Sequence, residues 1–305
     1  MPNPLTVLAL GEILWDVFPE RTCFGGAPAN YACALSELAG EPVDVKLFSG
    51  VGRDPLGQQA LEELEGHGVG ISLVQRPAFP TGQVSVHLTA DGNADYRFAE
   101  NVAWDNLQWT ESLQLEARIA DVVCFGTLAQ RASGSAATLQ QLVRQTSEAS
   151  YRVFDINLRF PHVVDSVIHQ SLALCNVLKL NEEELPYLAD LLGISGSQAD
   201  VLKVLYQRFD LRLIALTQGA KGAVLFNGAE QFKFTSPETR VVDTVGAGDA
   251  FTAALTLGLL RLENAEHSSS LQKLGEVACR VAAFVCEQPG ATPSFPADLK
   301  TAALF

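Results

Sequence analysis

Positive charge is what this sequence has least of. Its 305 residues carry 21 Lys and Arg against 35 Asp and Glu, a formal net charge of -14. So acidic a chain lacks the basic face that displaces counterions from nucleic acid, and no nucleic-acid partner is expected. A small phosphorylated ligand is not excluded, because a helix N-terminus, one Lys and Mg²⁺ can offset phosphate charge locally. There is no Cys-x-x-Cys pair. Cys23, Cys33, Cys124, Cys175, Cys279 and Cys286 sit mostly in apolar runs, which argues against a disulfide framework or a zinc site. They read as reduced thiols of a cytoplasmic protein. The N-terminus has no basic leader and runs straight into Gly11-Glu12, as a first buried strand would. The longest uncharged apolar stretch, 250–260, ends at Arg261 and is too short to span a bilayer, so no membrane partner is expected. Two phosphate-binding fingerprints are also missing. No Gly-Lys-Ser/Thr makes a Walker A loop, and no Gly-x-Gly-x-x-Gly follows the first strand.

What is there is ample apolar material, 48% of the chain, in short runs alternating with helical patterns. Residues 7–10, 45–49, 122–125, 153–156, 177–180 and 213–217 read as strands, several continuously apolar as if buried on both faces. Helical patterns cover 29–39, 57–66, 135–147, 183–192 and 199–209. This order predicts an α/β fold, a doubly wound, mostly parallel sheet flanked by helices, within one domain over 1–305. One region differs. Residues 83–89 alternate apolar and polar, Asp91-Gly92 follows, and 95–98 resume the alternation, a hairpin signal. We read it as part of a β lid over approximately 12–22 and 79–101. A plain hairpin added to the main sheet is the alternative.

The chemistry concentrates near the C-terminus. Asp243-Thr244-Val-Gly246-Ala247-Gly248-Asp249 leads into an apolar helix uncharged from 250 to 260. The small residues sit at that helix's N-terminal end, where free amides and the dipole favour an anion. Asp249 is the lone charge from 244 to 260. A carboxylate beside an anion hole can take a hydroxyl proton while the hole steadies a transferring phosphoryl group. The simpler reading, an Asp that merely starts a helix, stays open on these residues alone.

That seven-residue run resembles the C-terminal signature of the PfkB (ribokinase-like) carbohydrate kinases. The resemblance implies that Asp249 is the base, that Gly246, Ala247 and Gly248 form the anion hole, and that Asp243 and Thr244 border the nucleotide and cation region. The likeness runs through nearly the whole chain. Gly11-Glu-Ile-Leu-Trp-Asp16 resembles the first strand, with Asp16 holding sugar hydroxyls; Leu14 stands where ribokinase-type members carry Asn, which counts against ribose. Phe24-Gly25-Gly26-Ala-Pro-Ala-Asn30 resembles the sugar-facing loop. Val51 to Gly57 also has the family look, but Asp54 and Pro55 read as an N-cap and first helical residue.

Asp155-Ile-Asn157-Leu-Arg159 resembles the Asp-x-Asn-x-Arg of fructokinase-like and ketodeoxygluconate-kinase-like members, with Arg159 either a substrate contact or a surface residue. Lys179-Leu-Asn181-Glu-Glu-Glu184 resembles the segment that organises Mg²⁺ and its waters, with Glu184 acting through water. By themselves these residues read as a helix start capped by Asn181. Thr217, Gly219 and Gly222 match the turn beneath the nucleotide. Gly290-Ala-Thr-Pro-Ser294 resembles the loop that, with Asp243, cages K⁺. Tyr96, Arg97 and Phe98 fall on the lid.

The resemblance implies transfer of the γ-phosphoryl group of ATP to a primary hydroxyl of a free sugar, with Mg²⁺ and a K⁺ site. Fructose is the first expectation; ketodeoxygluconate, ribose and a nucleoside are alternatives. A sugar phosphate would need cations beyond Arg53, Arg97 and Arg159. A nicotinamide oxidoreductase lacks its fingerprint, and a non-catalytic sugar-binding regulator would be expected to lose the base or the glycines. A monomer and a homodimer are both compatible with the sequence.

Overall fold

The first strand sets the frame. Continuous apolar character over β1 (Leu5–Leu10) buries both its faces, with Val7 and Ala9 in one core and Leu8 and Leu10 in another. The computed structural model describes residues 4–39, 43–88, 94–262 and 267–303. The remaining strands are β2 (Leu14–Val17), β3 (Thr22–Gly25), β4 (Val43–Gly50), β5 (Val74–Gln75), β6 (Gly82–Leu88), β7 (Ala94–Phe98), β8 (Val122–Phe125), β9 (Tyr151–Asp155), β10 (Val177–Asn181), β11 (Leu213–Thr217), β12 (Ala223–Phe226) and β13 (Gln231–Phe234). The helices are α1 (Ala27–Ala39), α2 (Pro55–Gly66), α3 (Glu111–Ile119), α4 (Ser133–Gln145), α5 (Asp165–Leu174), α6 (Glu184–Leu192), α7 (Gln198–Arg208), α8 (Ala247–Arg261), α9 (Ser268–Cys286) and α10 (Ala297–Ala302).

Nine strands form the main sheet in the order β13-β12-β11-β10-β9-β8-β1-β4-β5. Pairing is parallel from β11 through to β5, and antiparallel where β12 and β13 turn back. Alternate residues of each strand feed the two cores: α1, α2, α8 and α9 cover one face, α3 to α7 the other. The chain leaves β1 in one direction to β4 and resumes on its other side at β8. Ligands of open parallel sheets bind at such a reversal, beyond the carboxyl ends of the strands. Here those ends carry Gly11-Glu12, Gly126-Thr127 and Asp155 to Asn157.

The second, smaller sheet has the order β3-β2-β6-β7. β2 pairs antiparallel with β3 and parallel with β6, so the hairpin joins a sheet of its own and is not an addition to the main one. The predicted Asp91-Gly92 turn lies outside the described residues. Asp54 caps α2 as expected, its Oδ1 accepting the Gly57 amide at 2.8 Å, with Pro55 first in the helix. The six cysteines are free thiols. No helix among the described residues is long and apolar enough to cross a membrane.

Candidate active site

The start of α8 organises the site. Gly246 lies in the left-handed region (φ 79°), and a Cβ there would fall 2.6 Å from the Ala291 carbonyl oxygen, so only glycine turns the chain here. The Ala250 amide donates to the Gly246 carbonyl at 2.8 Å and the Ala247 amide to the Thr244 carbonyl at 3.3 Å, so the intrahelical ladder begins only after the small residues of the loop. Asp249 is held in this first turn among buried residues. Its Oδ2 accepts a hydrogen bond from Asn30 Nδ2 of α1 at 2.9 Å, joining two elements 219 residues apart in sequence. Burial, then the Asp155 charge, push the Asp249 carboxyl up to about 6, against the opposing pull of Asn30, Lys179 and Arg159. A carboxylate so tuned is a stronger base than an exposed Asp, and still ionised at neutral pH.

One side of Asp249 gathers the residues expected at the sugar. Asp16, on β2, is half-buried and lies over the Gly25-Gly26 turn: a Cβ on Gly25 would come within 3.1 Å of Asp16 Oδ2. Burial raises the Asp16 carboxyl, and the Arg159 charge opposes that rise. Gly26 (φ 108°) packs so closely on the Glu12 carbonyl oxygen that a Cβ would sit 2.5 Å from it. Asn30 is buried, and its Oδ1 has no partner, an acceptor aimed into the site. Arg159 is exposed after β9, near enough to depress the carboxyls of Glu12, Asp16 and Asp249. Arg97 is exposed on β7, in register with Ser85, and the Tyr96 backbone pairs opposite Val86. Phe98 packs edge-on to His162, 5.3 Å between ring centroids.

The other side opens into a cleft of about 560 Å³, the volume of a small-molecule site. Asn181, Thr217, Gly219, Gly222, Thr244, Ala247 and Gly248 line it, as expected of nucleotide-contacting residues, together with Val241, Phe251 and Ala283. Lys179 is not among the lining residues. It is buried beneath the loop, its Nζ 3.0 Å from Asp155 Oδ1, and a Cβ on Gly248 would meet that Nζ at 3.2 Å. Its place follows from strand alternation, since β10 points Lys179 into the sheet's face and not along the cleft. Burial alone would lower its pKa, but Asp155, Glu184 and Asp249 together raise it, so it stays charged under the anion loop.

Asn181 caps α6, its Oδ1 accepting the amides of Glu183 and Glu184 at 2.9 Å each. Glu184 Oε1 accepts from the Leu158 amide at 2.9 Å and Oε2 from the Asn181 amide at 2.8 Å. Burial raises the Glu184 carboxyl, and Lys179 opposes the rise. Asp243 accepts from the Val245 amide at 3.0 Å and the Gly290 amide at 3.3 Å, tying the start of the loop to the segment after α9. Ser294 is exposed at the far end of that segment.

Sequence reasoning passed over three members of this cluster. Asp155 pairs with Lys179 and also accepts from Thr252 Oγ1 at 3.3 Å. Thr252 lies one turn beyond Asp249 on α8, and its i+4 spacing from Gly248 was the available signal. Glu12 is buried at the end of β1, its carboxyl raised to about 7 mainly by burial. A lone Glu after an apolar strand carries no local mark of that burial.

Comparison with known proteins gives the family. The chain is similar to a fructokinase of Vibrio alginolyticus, 29% identical over 95% of both chains. It is similar to an aminoimidazole riboside kinase of Salmonella typhimurium, 27% identical over 97% of this chain and 94% of that one. Its fold matches a sugar kinase of Pyrococcus horikoshii solved in complex with ATP, with a TM-score of 0.81 and 28% identity over 98% of this chain and 100% of that one. The model of the pfkB family carbohydrate kinases matches residues 19–298. With that match across most of its length, the chain belongs to the pfkB family of carbohydrate kinases.

Proposed function

We propose that this kinase transfers the γ-phosphoryl group of ATP to a primary hydroxyl of a free sugar, with fructose as substrate and fructose 6-phosphate as product. The observation that carries the transfer is the position of Asp249: half-buried in the first turn of α8, bonded to Asn30 on one side and adjoining the cleft lined by Gly248 on the other. Asp16, Gly25, Gly26 and Asn30 bind the sugar and orient one hydroxyl toward Asp249, which accepts its proton as the oxygen attacks phosphorus in line. The amides at 246–248, with the Lys179 charge beneath them, stabilise the negative charge of the transferring group.

Glu184 presents only oxygen acceptors, Asn181 adds a side-chain amide oxygen, and each Glu184 oxygen keeps a second lone pair beside its amide bond. The pair therefore suits Mg²⁺ bound through water. Mg²⁺ supplies neutralisation of phosphate charge when bound. The tie from Asp243 to Gly290 brings together the two loops that would flank a K⁺ ion. The sheet β3-β2-β6-β7 acts as a lid that closes over the sugar and keeps water from the phosphoryl group.

One observation favours a second substrate class. Arg159 is an exposed cation whose charge reaches Glu12, Asp16 and Asp249, which suits a sugar acid such as ketodeoxygluconate. ADP release measured over a panel of fructose, ribose, ketodeoxygluconate and nucleosides separates the readings. Fructose turning over fastest supports the first; a sugar acid faster than fructose, with that preference lost in R159A, replaces it.

A further inference from the structure

Beside Asp249 lies a second, smaller space that the transfer reaction as described does not use. Glu12, Tyr31, Cys124, Thr127, Asp155, Asp249 and Thr252 are among its walls, and it holds about 20 Å³, room for one water molecule. Much of its lining is apolar, Pro28, Phe125 and Leu128 among it, but Glu12, Thr127, Asp155 and Asp249 give one water the two to four polar partners it needs. Three of its walls are carboxylates, Glu12, Asp155 and Asp249, and Asp155 is paired with Lys179. Glu12 is 4% exposed, and its hydrogen bonds come from its own amide and that of Ala27. Burying a carboxylate without a bonded cation is costly, so its retention at the end of β1 calls for a use. Nearby, the buried Asn30 Oδ1 lacks a partner and marks the same neighbourhood as short of a donor.

We propose that Glu12 is the proton store of the reaction, receiving through one water in this cavity the proton that Asp249 removes from the sugar. The inference rests on the transfer reading above. The sugar O–H bond breaks as its oxygen bonds to the γ-phosphorus, and the β–γ bridging P–O bond breaks with its electron pair leaving on ADP. The proton passes to Asp249; the cavity water takes it and gives one of its own to a Glu12 oxygen, which restores the Asp249 carboxylate. After the products leave, Glu12 returns the proton to solvent by the same route. Glu12 acts through Asp249 and is a positioning residue in this sense. The groups facing it are few. Asp249 of α8 raises its proton affinity, Arg159 beyond β9 lowers it, and Tyr31, Cys124 and Asp155, the last paired with Lys179, complete the titratable surroundings.

E12Q keeps the size of Glu12 and one acceptor oxygen for the backbone amides, and removes its proton chemistry. It should lower kcat about tenfold, leave KM for the sugar unchanged, and remove from the kcat–pH profile a limb near pH 7, leaving the limb of Asp249 near pH 6. E12D, with a carboxylate one methylene shorter, should regain part of the rate and the limb. An infrared titration of the unliganded protein reads the same group without turnover: a protonated-carboxyl band that titrates near pH 7 in the wild type and is missing from E12Q. Wild-type kcat and pH profile in E12Q, or no such band in the wild type, overturns the proposal. A wild type that shows the band yet phosphorylates no sugar overturns the transfer reading instead.

Discussion

Asp249 and Lys179 show how single residues here sacrifice stability for chemistry. A carboxyl raised from 3.8 to about 6 by folding binds its proton more tightly in the folded chain than in the unfolded one. Its contribution is therefore complete below pH 3.8 and lost as pH rises through 6, so at neutral pH the ionised Asp249 is a liability of at most about 3 kcal/mol. D249N carries no such charge. The melting temperature of D249N relative to wild type should be higher at pH 8 than at pH 5, read by calorimetry at both values. Lys179 presents the opposite case. Its ion pair with Asp155 is buried, and K179M would leave that carboxylate uncompensated at a cost of roughly 3–5 kcal/mol. Urea unfolding should show this loss, with part of it recovered when D155N is added, because the stranded charge is then gone too.

At the scale of elements, the loop before α8 separates two kinds of glycine. Gly246 needs its left-handed backbone and has the Ala291 carbonyl where a Cβ would go, whereas a Cβ on Gly248 meets only the Lys179 side-chain nitrogen, at 3.2 Å, and no backbone. G246A should therefore lower stability by more than about 1 kcal/mol and weaken ATP binding. G248A should fold with near wild-type stability and lose activity with little change in unfolding, as thermal melts and initial rates would show together. These elements were legible in the sequence to different degrees. β1, β8 and β11 announced themselves as largely continuous apolar runs because both faces of a central parallel strand are buried, and α8 did so by carrying no charge from 250 to 260. α3, α5 and α9 were not assigned, although α9 spans 19 residues. β12 and β13 are four residues each, too short for periodicity to separate from a turn. β3 was likewise unseen, since its strand character comes from pairing with β2 and not from alternation.

For the whole molecule, the site exists because the chain reverses its direction of travel across the sheet at β1 and brings α8 to the carboxyl ends of four strands. That convergence explains why Asp249 and the Gly25-Gly26 turn could be given roles from short motifs, while Glu12 and Asp155, though they lie within quoted motifs, were given none. Motif residues carry a pattern along the chain, but partners such as Asn30 and Asp249 meet only through the fold. The second sheet extends the same logic to motion. If it closes on the sugar, hydrogen exchange across β6 (Gly82–Leu88) and β7 (Ala94–Phe98) should slow several-fold on adding substrate, while exchange in β10 and β11 stays unchanged. Equal exchange with and without sugar would remove the lid from the mechanism.

The central claim is that Asp249 takes the proton of a sugar hydroxyl as the γ-phosphoryl group moves to its oxygen. Its most direct test is the rate of sugar-phosphate formation by wild type and D249N at saturating ATP and sugar, followed by phosphorus NMR. Loss of kcat by about 10²–10⁴-fold, with ATP affinity retained, is the predicted result. Formation of the same sugar phosphate by D249N at the wild-type rate would contradict the account.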